Sequence, residues 1–321
     1  MNLISPLQFT KTRSVFSRLL TIKTSTAIGF VVAILSAALS SLPDVVSKPI
    51  VDPNVNGIAP IEPLMVVFIM YLATGLFFTP ITKLQKSVAP IKKSSYAVLV
   101  IYGVASACST LAFSFGLKET SATNASILSN SEIVFTVLIG MILFKEYLAK
   151  KEILPFALIA AGAIVLPIGS DIYEHRFAFS EFVFGDIMIV ISGFIYCLCT
   201  FIAKHAGNVK TTRVVQIMSL SGALFCFAMM LIFQTPLSID LSALPILSFV
   251  GIAGIGGSVL FFVMAVRLIG AVRTILIFSS ATVFGVVYSA IYLLESVDIF
   301  TVSSLGIVTV GLYRLRYKLA A

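Results

Sequence analysis

The chain has 321 residues, of which 59% are hydrophobic and 11% charged, and its mean hydropathy is +1.07. Soluble domains are about half apolar, so this composition excludes a soluble protein and predicts an integral membrane protein. The formal charge of +8 does not indicate a nucleic-acid partner, because cytoplasmic loops that face anionic lipid account for it.

Apolar stretches long enough to cross a hydrocarbon core of roughly 30 Å recur along the whole chain. They predict an all-α integral membrane fold of ten transmembrane helices in a lipid bilayer. The predicted spans are 25–48, 62–82, 95–116, 121–144, 152–169, 183–204, 212–233, 242–266, 271–294 and 299–315. The fourth and ninth spans follow their neighbours after very short links.

The spans divide into two halves of five. A basic segment, residues 1–24, precedes them, and we expect it to form a short cytoplasmic or interfacial helix. The first half covers residues 25–169 and the second covers 183–315, followed by a tail of residues 316–321.

Lysine and arginine residues gather in the loops on one side of this arrangement. Only Lys48, Lys118 and Arg176 of the 22 basic residues fall on the other side. Because basic loops stay in the cytoplasm, both termini are expected there, and we expect the protein in the plasma membrane of the cell. One span more or fewer would scatter the basic residues over both faces.

The second half repeats the first. An offset of 149 residues aligns Gly116 to Tyr147 with Ala265 to Ser296, and an offset of 156 aligns Gly29, Ser36, Leu42 and Lys48 with Gly185, Ser192, Leu198 and Lys204. Since each copy has five spans, an odd number, the copies must enter the membrane from opposite sides. Such inverted repeats are typical of secondary transporters, whose site lies near the midplane between the repeats.

Three stretches carry a family resemblance: the opening helix GFVVAILSAALSSLPDVVSK, the run ATNASILSNSEIVFTVLIGMILFKEYL with PFALIAAGAIVL after it, and the second copy from Gly185. Together they resemble the drug/metabolite transporter superfamily and, within it, EamA-type proteins with two five-helix halves. The resemblance implies a gradient-driven exporter or exchanger of small metabolites, commonly amino acids. Family members often have proline at the position of Glu132 and an aromatic pair at Ser40 and Ser41.

Enzymatic motifs are missing from the chain. It has no Gly-rich GK[ST] loop, no HExxH, no Cys-x-x-Cys and no GxSxG. We therefore expect no catalytic residues, no cofactor and no metal. Cys197 and Cys199 lie about 200° apart around one helix, so they and the other two cysteines are interpreted as apolar fillers.

Glu132 is the strongest candidate for function, because an ionised side chain near the middle of a span is costly unless it faces protein, water or a partner. Ser129 and Thr136 share its helical face. The face either lines a cavity, where Glu132 binds a substrate ammonium or exchanges a proton or cation, or makes a structural helix contact with Glu132 protonated or hydrogen-bonded.

The first span supplies a second candidate. Pro43 frees a backbone carbonyl and bends the helix, which suits a gate. Ser40 shares its face, and Asp44 lies beside that face, either in the site or solvated at the interface.

The second half supplies the remaining candidates. Tyr196 either contacts a ligand or is a core tyrosine, and Ser279 and Ser280 lie opposite the Glu132 region, with Ala281 at the glutamate's own counterpart. The sequence thus predicts a secondary transporter of small polar metabolites that works by alternating access. The alternative is a non-transporting membrane protein, such as a lipid scramblase or a channel.

Overall fold

The computed structural model describes residues 6–52, 61–85, 91–120, 122, 125, 128–129, 131–143, 150–162, 182–205, 209–235, 241–295 and 299–320. Every regular element in these ranges is a helix. The helices are α1 Pro6–Val46, α2 Lys48–Val51, α3 Pro63–Leu84, α4 Lys93–Glu119, α5 Ser131–Leu143, α6 Lys150–Ala160, α7 Phe182–His205, α8 Thr211–Phe233, α9 Leu244–Val250, α10 Ser258–Ile269, α11 Ala271–Phe278, α12 Ala281–Tyr288 and α13 Ile299–Ala320. Two π-helical segments, Gly251–Gly257 and Ser289–Leu293, follow α9 and α12.

Seven helical stretches in the described ranges are long and apolar enough to cross a membrane. They are Thr26–Val51, Pro63–Leu84, Lys93–Glu119, Phe184–Ala203, Thr211–Phe233, Leu244–Ile269 and Ala271–Leu293. They coincide with predicted spans one to three and six to nine, and they confirm an all-helical, multi-pass membrane protein. For the fourth and tenth spans the structure has shorter apolar runs, Ser131–Ile142 and Val302–Gly311. The fifth span lies partly outside the described residues.

Three helix pairings hold the bundle together: α3 on α8, α1 on α10, and α4 on α7. The largest fully buried side chains include Tyr71, Leu99 and Met218, which belong to the core that α3, α4 and α8 share. Large apolar side chains on the outer faces, such as Leu224 and Phe249, are more than 60% exposed. Apolar surface of this kind suits contact with lipid.

Two serine pairs join α1 to α10 and α4 to α7 in similar geometry. Ser36 Oγ donates to the Ser258 carbonyl oxygen at 2.8 Å, and the two hydroxyl oxygens lie 3.2 Å apart. Ser109 Oγ donates to the Ser192 carbonyl oxygen at 2.9 Å, with the hydroxyl oxygens 3.1 Å apart. The offset of 156 relates Ser36 to Ser192, and the offset of 149 relates Ser109 to Ser258. Corresponding positions of the two halves therefore make corresponding contacts.

Two glycines extend this correspondence. A Cβ at Gly29 would lie 3.1 Å from Leu268 Cβ, and one at Gly185 would lie 3.0 Å from Glu119 Cβ. The same two offsets relate Gly29 to Gly185 and Glu119 to Leu268. Each glycine thus lets the start of one membrane-spanning stretch approach the end of another closely.

The ninth predicted span is interrupted where the sequence predicts a continuous helix. A turn at Ser279 and Ser280 separates α11 from α12, and the Val283 amide donates to the Ser280 carbonyl oxygen at 3.0 Å, a spacing of three residues. Serine hydroxyls compete for backbone partners, and Ser279 Oγ donates to the Leu276 carbonyl oxygen at 2.7 Å.

The fourth predicted span has a turn at the corresponding place. Ser129 lies in a turn, α5 begins at Ser131, and the Glu132 amide donates to the Ser129 carbonyl oxygen at 3.1 Å. The offset of 149 places Ser131 on Ser280. Neither turn contains glycine or proline, the usual sequence signals of a helix end.

The approach of α4 to α8 makes a testable stability prediction. A Cβ at Gly103 would collide with the Met218 carbonyl oxygen, whereas one at Gly306 would meet nothing within 4 Å. We expect Gly103→Ala to destabilise the protein by about 1–3 kcal/mol through overpacking. Gly306→Ala should be neutral or stabilising, because alanine has the higher helix propensity. Thermal unfolding in detergent measures both, and equal melting temperatures for the two variants would contradict the close packing.

Candidate functional site

A cavity of about 110 Å³ lies among helices of both halves. Its walls come from α1, α3, α4, α5, α7, α10, the Gly251–Gly257 segment and the ends of α11 and α12. The lining residues are Ser40, Pro43, Asp44, Tyr71, Ser106, Ser109, Thr110, Phe113, Ser129, Glu132, Ser192, Gly193, Tyr196, Gly254, Ile255, Ser258, Phe278 and Ala281.

The charge of this cavity is one-sided. Asp44 and Glu132 contribute two carboxyl groups, and no lysine, arginine or histidine is among the described residues that line it. A concave site with low-dielectric walls and charge of one sign concentrates ions of the opposite sign. The cavity is therefore suited to a cation or to a proton.

Glu132 lies in the first turn of α5 and is only 6% exposed. The Thr200 hydroxyl on α7 donates to Glu132 Oε1 at 3.2 Å. The interruption before Ser131 places the carboxyl group at the amino end of a helix, where the helix dipole stabilises negative charge. The helix break and Thr200 together position a carboxyl group that faces the cavity.

Asp44 and Pro43 line the cavity from α1. Asp44 is half-buried, and no described residue donates a hydrogen bond to its carboxyl group. Pro43 packs against the π-helical segment, where a Cβ on Gly254 would lie 2.5 Å from the proline ring. Because proline has no N–H, the Leu39 carbonyl oxygen loses its helical donor at this point.

Tyr71 and the polar face of α4 form another wall, which the sequence prediction missed. The Tyr71 hydroxyl lies 2.8 Å from Ser106 Oγ and 3.0 Å from Thr110 Oγ1. Ser106, Thr110 and Phe113 share one helical face by their spacing of four and seven residues. That spacing was available in the sequence, but without a charged residue it resembles an ordinary packing face.

Five pairs of lining residues occupy corresponding positions in the two halves. They are Ser40 and Tyr196, Ser106 and Ile255, Ser109 and Ser258, Ser129 and Phe278, and Glu132 and Ala281. In three of these pairs the residue of the first half is polar and its counterpart is apolar. The lining positions of the first half are therefore more polar than their counterparts in the second half.

The structure brings six of the nine residues predicted for the site or gate to this cavity. These six are Ser40, Pro43, Asp44, Ser129, Glu132 and Tyr196. Thr136 lies one turn beyond Glu132, is fully buried and does not line the cavity. Ser279 and Ser280 occupy the turn itself, and their neighbours Phe278 and Ala281 face the cavity instead. The turn redirects the side chains, which a continuous helix would have placed differently.

The membrane-spanning helices define a multi-pass membrane protein, and a cavity with two carboxyl groups lies among them. The model of the EamA-like transporter family matches the chain twice, over residues 27–167 and 183–317. The chain belongs to the EamA-like transporter family, and the family resemblance noted in the sequence is confirmed.

Curated relatives agree with this assignment, and a solved structure has a similar fold. An "Uncharacterized transporter" from Methanothermobacter thermautotrophicus is 28% identical over 68% of this chain and 64% of its own length. Another from Archaeoglobus fulgidus is 26% identical over 45% of this chain and 48% of its own length. A solved structure described only as "Crystal structure of protein" superposes with a TM-score of 0.67 at 15% identity, covering 92% of this chain and 97% of that one. It shares the fold.

The charge of the cavity predicts selective labelling of an introduced cysteine. In a chain without its four native cysteines, Ala281→Cys places a thiol in the cavity lining. The quantity measured is the ratio of the labelling rate with the cationic 2-aminoethyl methanethiosulfonate to the rate with the anionic 2-sulfonatoethyl reagent. Because of the two carboxyl groups, we expect this ratio to be roughly tenfold higher at the introduced cysteine than for a free thiol in solution.

Two controls accompany this measurement. Ala33→Cys lies in the core with 0% exposure and should react slowly with both reagents. Adding Glu132→Gln to Ala281→Cys should reduce the preference for the cation. A preference equal to that of the free thiol would show that the carboxyl groups do not govern access.

Proposed function

We propose that the protein is a secondary transporter, an exporter or exchanger of small polar metabolites such as amino acids, and that it works by alternating access. The cavity carries this proposal, since it holds an intramembrane carboxyl group between corresponding elements of the two halves. Intramembrane ionisable residues that face a bundle interior mark the paths of substrates and ions.

The architecture we propose has ten transmembrane helices in two inverted five-helix repeats, with both termini in the cytoplasm and the protein in the cell membrane. The two family matches, over residues 27–167 and 183–317, support the duplication. The paired serine contacts and the paired helix interruptions support a two-fold relation between the copies. Discontinuous helices at the repeat interface are a common feature of binding sites in secondary transporters.

Glu132 is the coupling group in this proposal. The titratable side chains that line the cavity are Asp44, Tyr71, Glu132 and Tyr196. Tyrosine is ordinarily neutral at physiological pH. The two carboxyl groups are therefore the ones that can exchange a proton or take a cation, and we assign the coupling to Glu132 because Thr200 positions its carboxyl group. A proton and a substrate ammonium compete for it.

Alternating access needs an element that moves around a fixed site. The contact of Pro43 with Gly254 joins α1 to the Gly251–Gly257 segment beside the cavity, and both features are places where helices bend. We assign Pro43 and this segment to the gate. The polar residues converge on one cavity among helices of both halves and do not follow a helix along its length, which favours a transporter over a scramblase.

Solute counterflow in proteoliposomes tests the transport function. Purified protein is reconstituted with a panel of unlabelled amino acids and related metabolites inside, and uptake of each labelled compound is followed. Amines that lack a carboxylate are included in the panel. We expect saturable counterflow for at least one compound and at least a tenfold loss in Glu132→Gln, because the neutral amide cannot hold an ammonium group by charge.

The matched control for this experiment is Glu62→Gln. Glu62 is exposed at the start of α3 and lies outside the cavity lining, so its variant should transport normally. An equal loss of counterflow in both variants would contradict a specific role of Glu132 in transport. No counterflow of any compound in the panel would contradict transport of small polar metabolites.

An imposed pH gradient tests the coupling. If a proton and the substrate compete for Glu132, a gradient with the acidic side opposite the labelled substrate should drive uptake in the native protein. Glu132→Gln should lose this response, and Glu62→Gln should keep it. A native protein whose uptake ignores the gradient would exclude proton coupling.

A further inference from the structure

We propose that the cavity takes a small amphipathic amine, a molecule with an ammonium group, an apolar body and no carboxylate. The inference rests on the proposed transport function and changes the expected substrate from an amino acid to an amine without a carboxylate. It follows from three properties of the cavity: its charge, the state of its hydroxyl groups and the difference between the lining residues of the two halves.

The two carboxyl groups of the cavity disfavour a ligand that carries a negative group of its own. Asp44 and Glu132 both line a cavity whose described residues include no cationic side chain. An ammonium group gains a charge-assisted contact with a carboxylate there. The carboxylate of an amino acid would be buried near two acidic groups without a cationic partner, which is costly in a low-dielectric site.

The hydroxyl groups of the lining do not compensate for the missing cation, since most of them already have partners. Tyr71 contacts Ser106 and Thr110, and Ser109 contacts Ser192. Ser40 Oγ donates to the Ala37 carbonyl oxygen at 2.9 Å, and Ser258 contacts Ser36. A ligand carboxylate, which needs several donors, would have to break these bonds.

The lining residues of the two halves define the shape of the ligand. Glu132, Ser129 and Ser106 of the first half line the cavity together with their apolar counterparts Ala281, Phe278 and Ile255 of the second half. The Phe278 ring is held by an edge contact with Phe262, with the ring centroids 5.3 Å apart. The ammonium group therefore belongs beside Glu132 and the apolar body beside Phe278 and Ile255. Aromatic rings at Tyr196 and Phe278 also attract a cation.

A matched ligand series tests this inference in the full-length protein. Phenethylamine, phenylalanine and 3-phenylpropionate share the same apolar body and differ in their charged groups, and methylamine keeps the ammonium without the body. Binding is measured by the thermal shift of the purified protein, and exchange is measured separately in proteoliposomes. We expect phenethylamine to bind at least tenfold more tightly than the other three, and Glu132→Gln to lose this binding while Glu62→Gln retains it.

The separate readouts distinguish the two proposals. Phenethylamine binding that requires Glu132 but gives no exchange would support the amine site and contradict the transport function. Phenylalanine binding as tight as that of phenethylamine would overturn the amine inference, and its exchange would leave transport intact. Phenethylamine binding that persists in Glu132→Gln would also overturn the inference.

A second, independent observation concerns Leu117, Thr120 and Ala122 at the end of α4, here called the link, whose backbone groups are bonded from two sides. Lys48 Nζ donates to the carbonyl oxygens of Leu117 at 2.8 Å and Thr120 at 2.7 Å, and it lies 2.7 Å from Asp52 Oδ2. From the other side, Glu295 Oε1 accepts from the Ala122 amide at 3.0 Å.

We infer that these contacts form a latch that closes one end of the cavity. Asp44, which lines the cavity near the end of α1, lies four residues before Lys48, the first residue of α2. The link holds the end of α4, whose residues Ser106 to Phe113 line the cavity. Opening at this end therefore requires Lys48 and Glu295 to release the link. Lys48 and Glu295 bond to backbone atoms of the link. These bonds therefore do not depend on which side chains the link has.

Paired substitutions at Glu295 test the latch. Glutamine keeps an oxygen that accepts from the Ala122 amide, whereas leucine does not. With Ala281→Cys in the cavity, we expect Glu295→Leu to raise the labelling rate by a membrane-impermeant cationic thiol reagent at least fivefold in intact cells, and Glu295→Gln to remain within twofold of the parent. Lys48→Met should act like Glu295→Leu. Unchanged labelling in Glu295→Leu, or an equal increase in both Glu295 variants, would overturn the latch.

Discussion

The requirement that backbone polar groups be satisfied within hydrocarbon governs this structure. Helices meet that requirement along most of each span, so an interruption is tolerated only where other groups or a cavity receive the freed N–H and C=O groups. The turn before α5 and the turn between α11 and α12 both adjoin the cavity, with Ser129, Glu132, Phe278 and Ala281 in its lining. The interruptions and the site therefore share one physical cause.

The helix interruption before α5 also explains how a carboxyl group is accommodated within the membrane-spanning region. A carboxyl group in a continuous apolar helix would pay the full cost of burial. Glu132 instead sits at the amino end of α5, accepts a hydrogen bond from Thr200 and faces a cavity. The offset of 156 relates Asp44 to Thr200. At this position the first half has a second carboxyl group, whereas the second half has the hydroxyl group that donates to Glu132.

Hydropathy, charge bias and the internal repeat predicted much of the fold, since each depends on composition averaged over many residues. They predicted the seven long spans and also Glu132 and Asp44, because a charge within a span stands out against its surroundings. The turn at Ser279 and Ser280 was not predictable in this way. It arises where serine hydroxyls take backbone partners, and serines elsewhere in the chain, such as Ser36, sit inside continuous helices. The wall formed by Tyr71 and α4 was missed because residues with hydroxyl groups, unlike charged residues, are common within apolar spans.

The difference between the halves is the property from which specificity follows. A symmetric duplication would place Glu132 and its copy in the same cavity, and two such carboxyl groups would repel each other or bind a dication. This chain has Ala281 at the second position, and Phe278 and Ile255 where the first half has Ser129 and Ser106. The backbone contacts keep their correspondence, as the two serine pairs show. The lining side chains thus differ between the halves in polarity and charge, while the helix contacts that the two serine pairs make are retained.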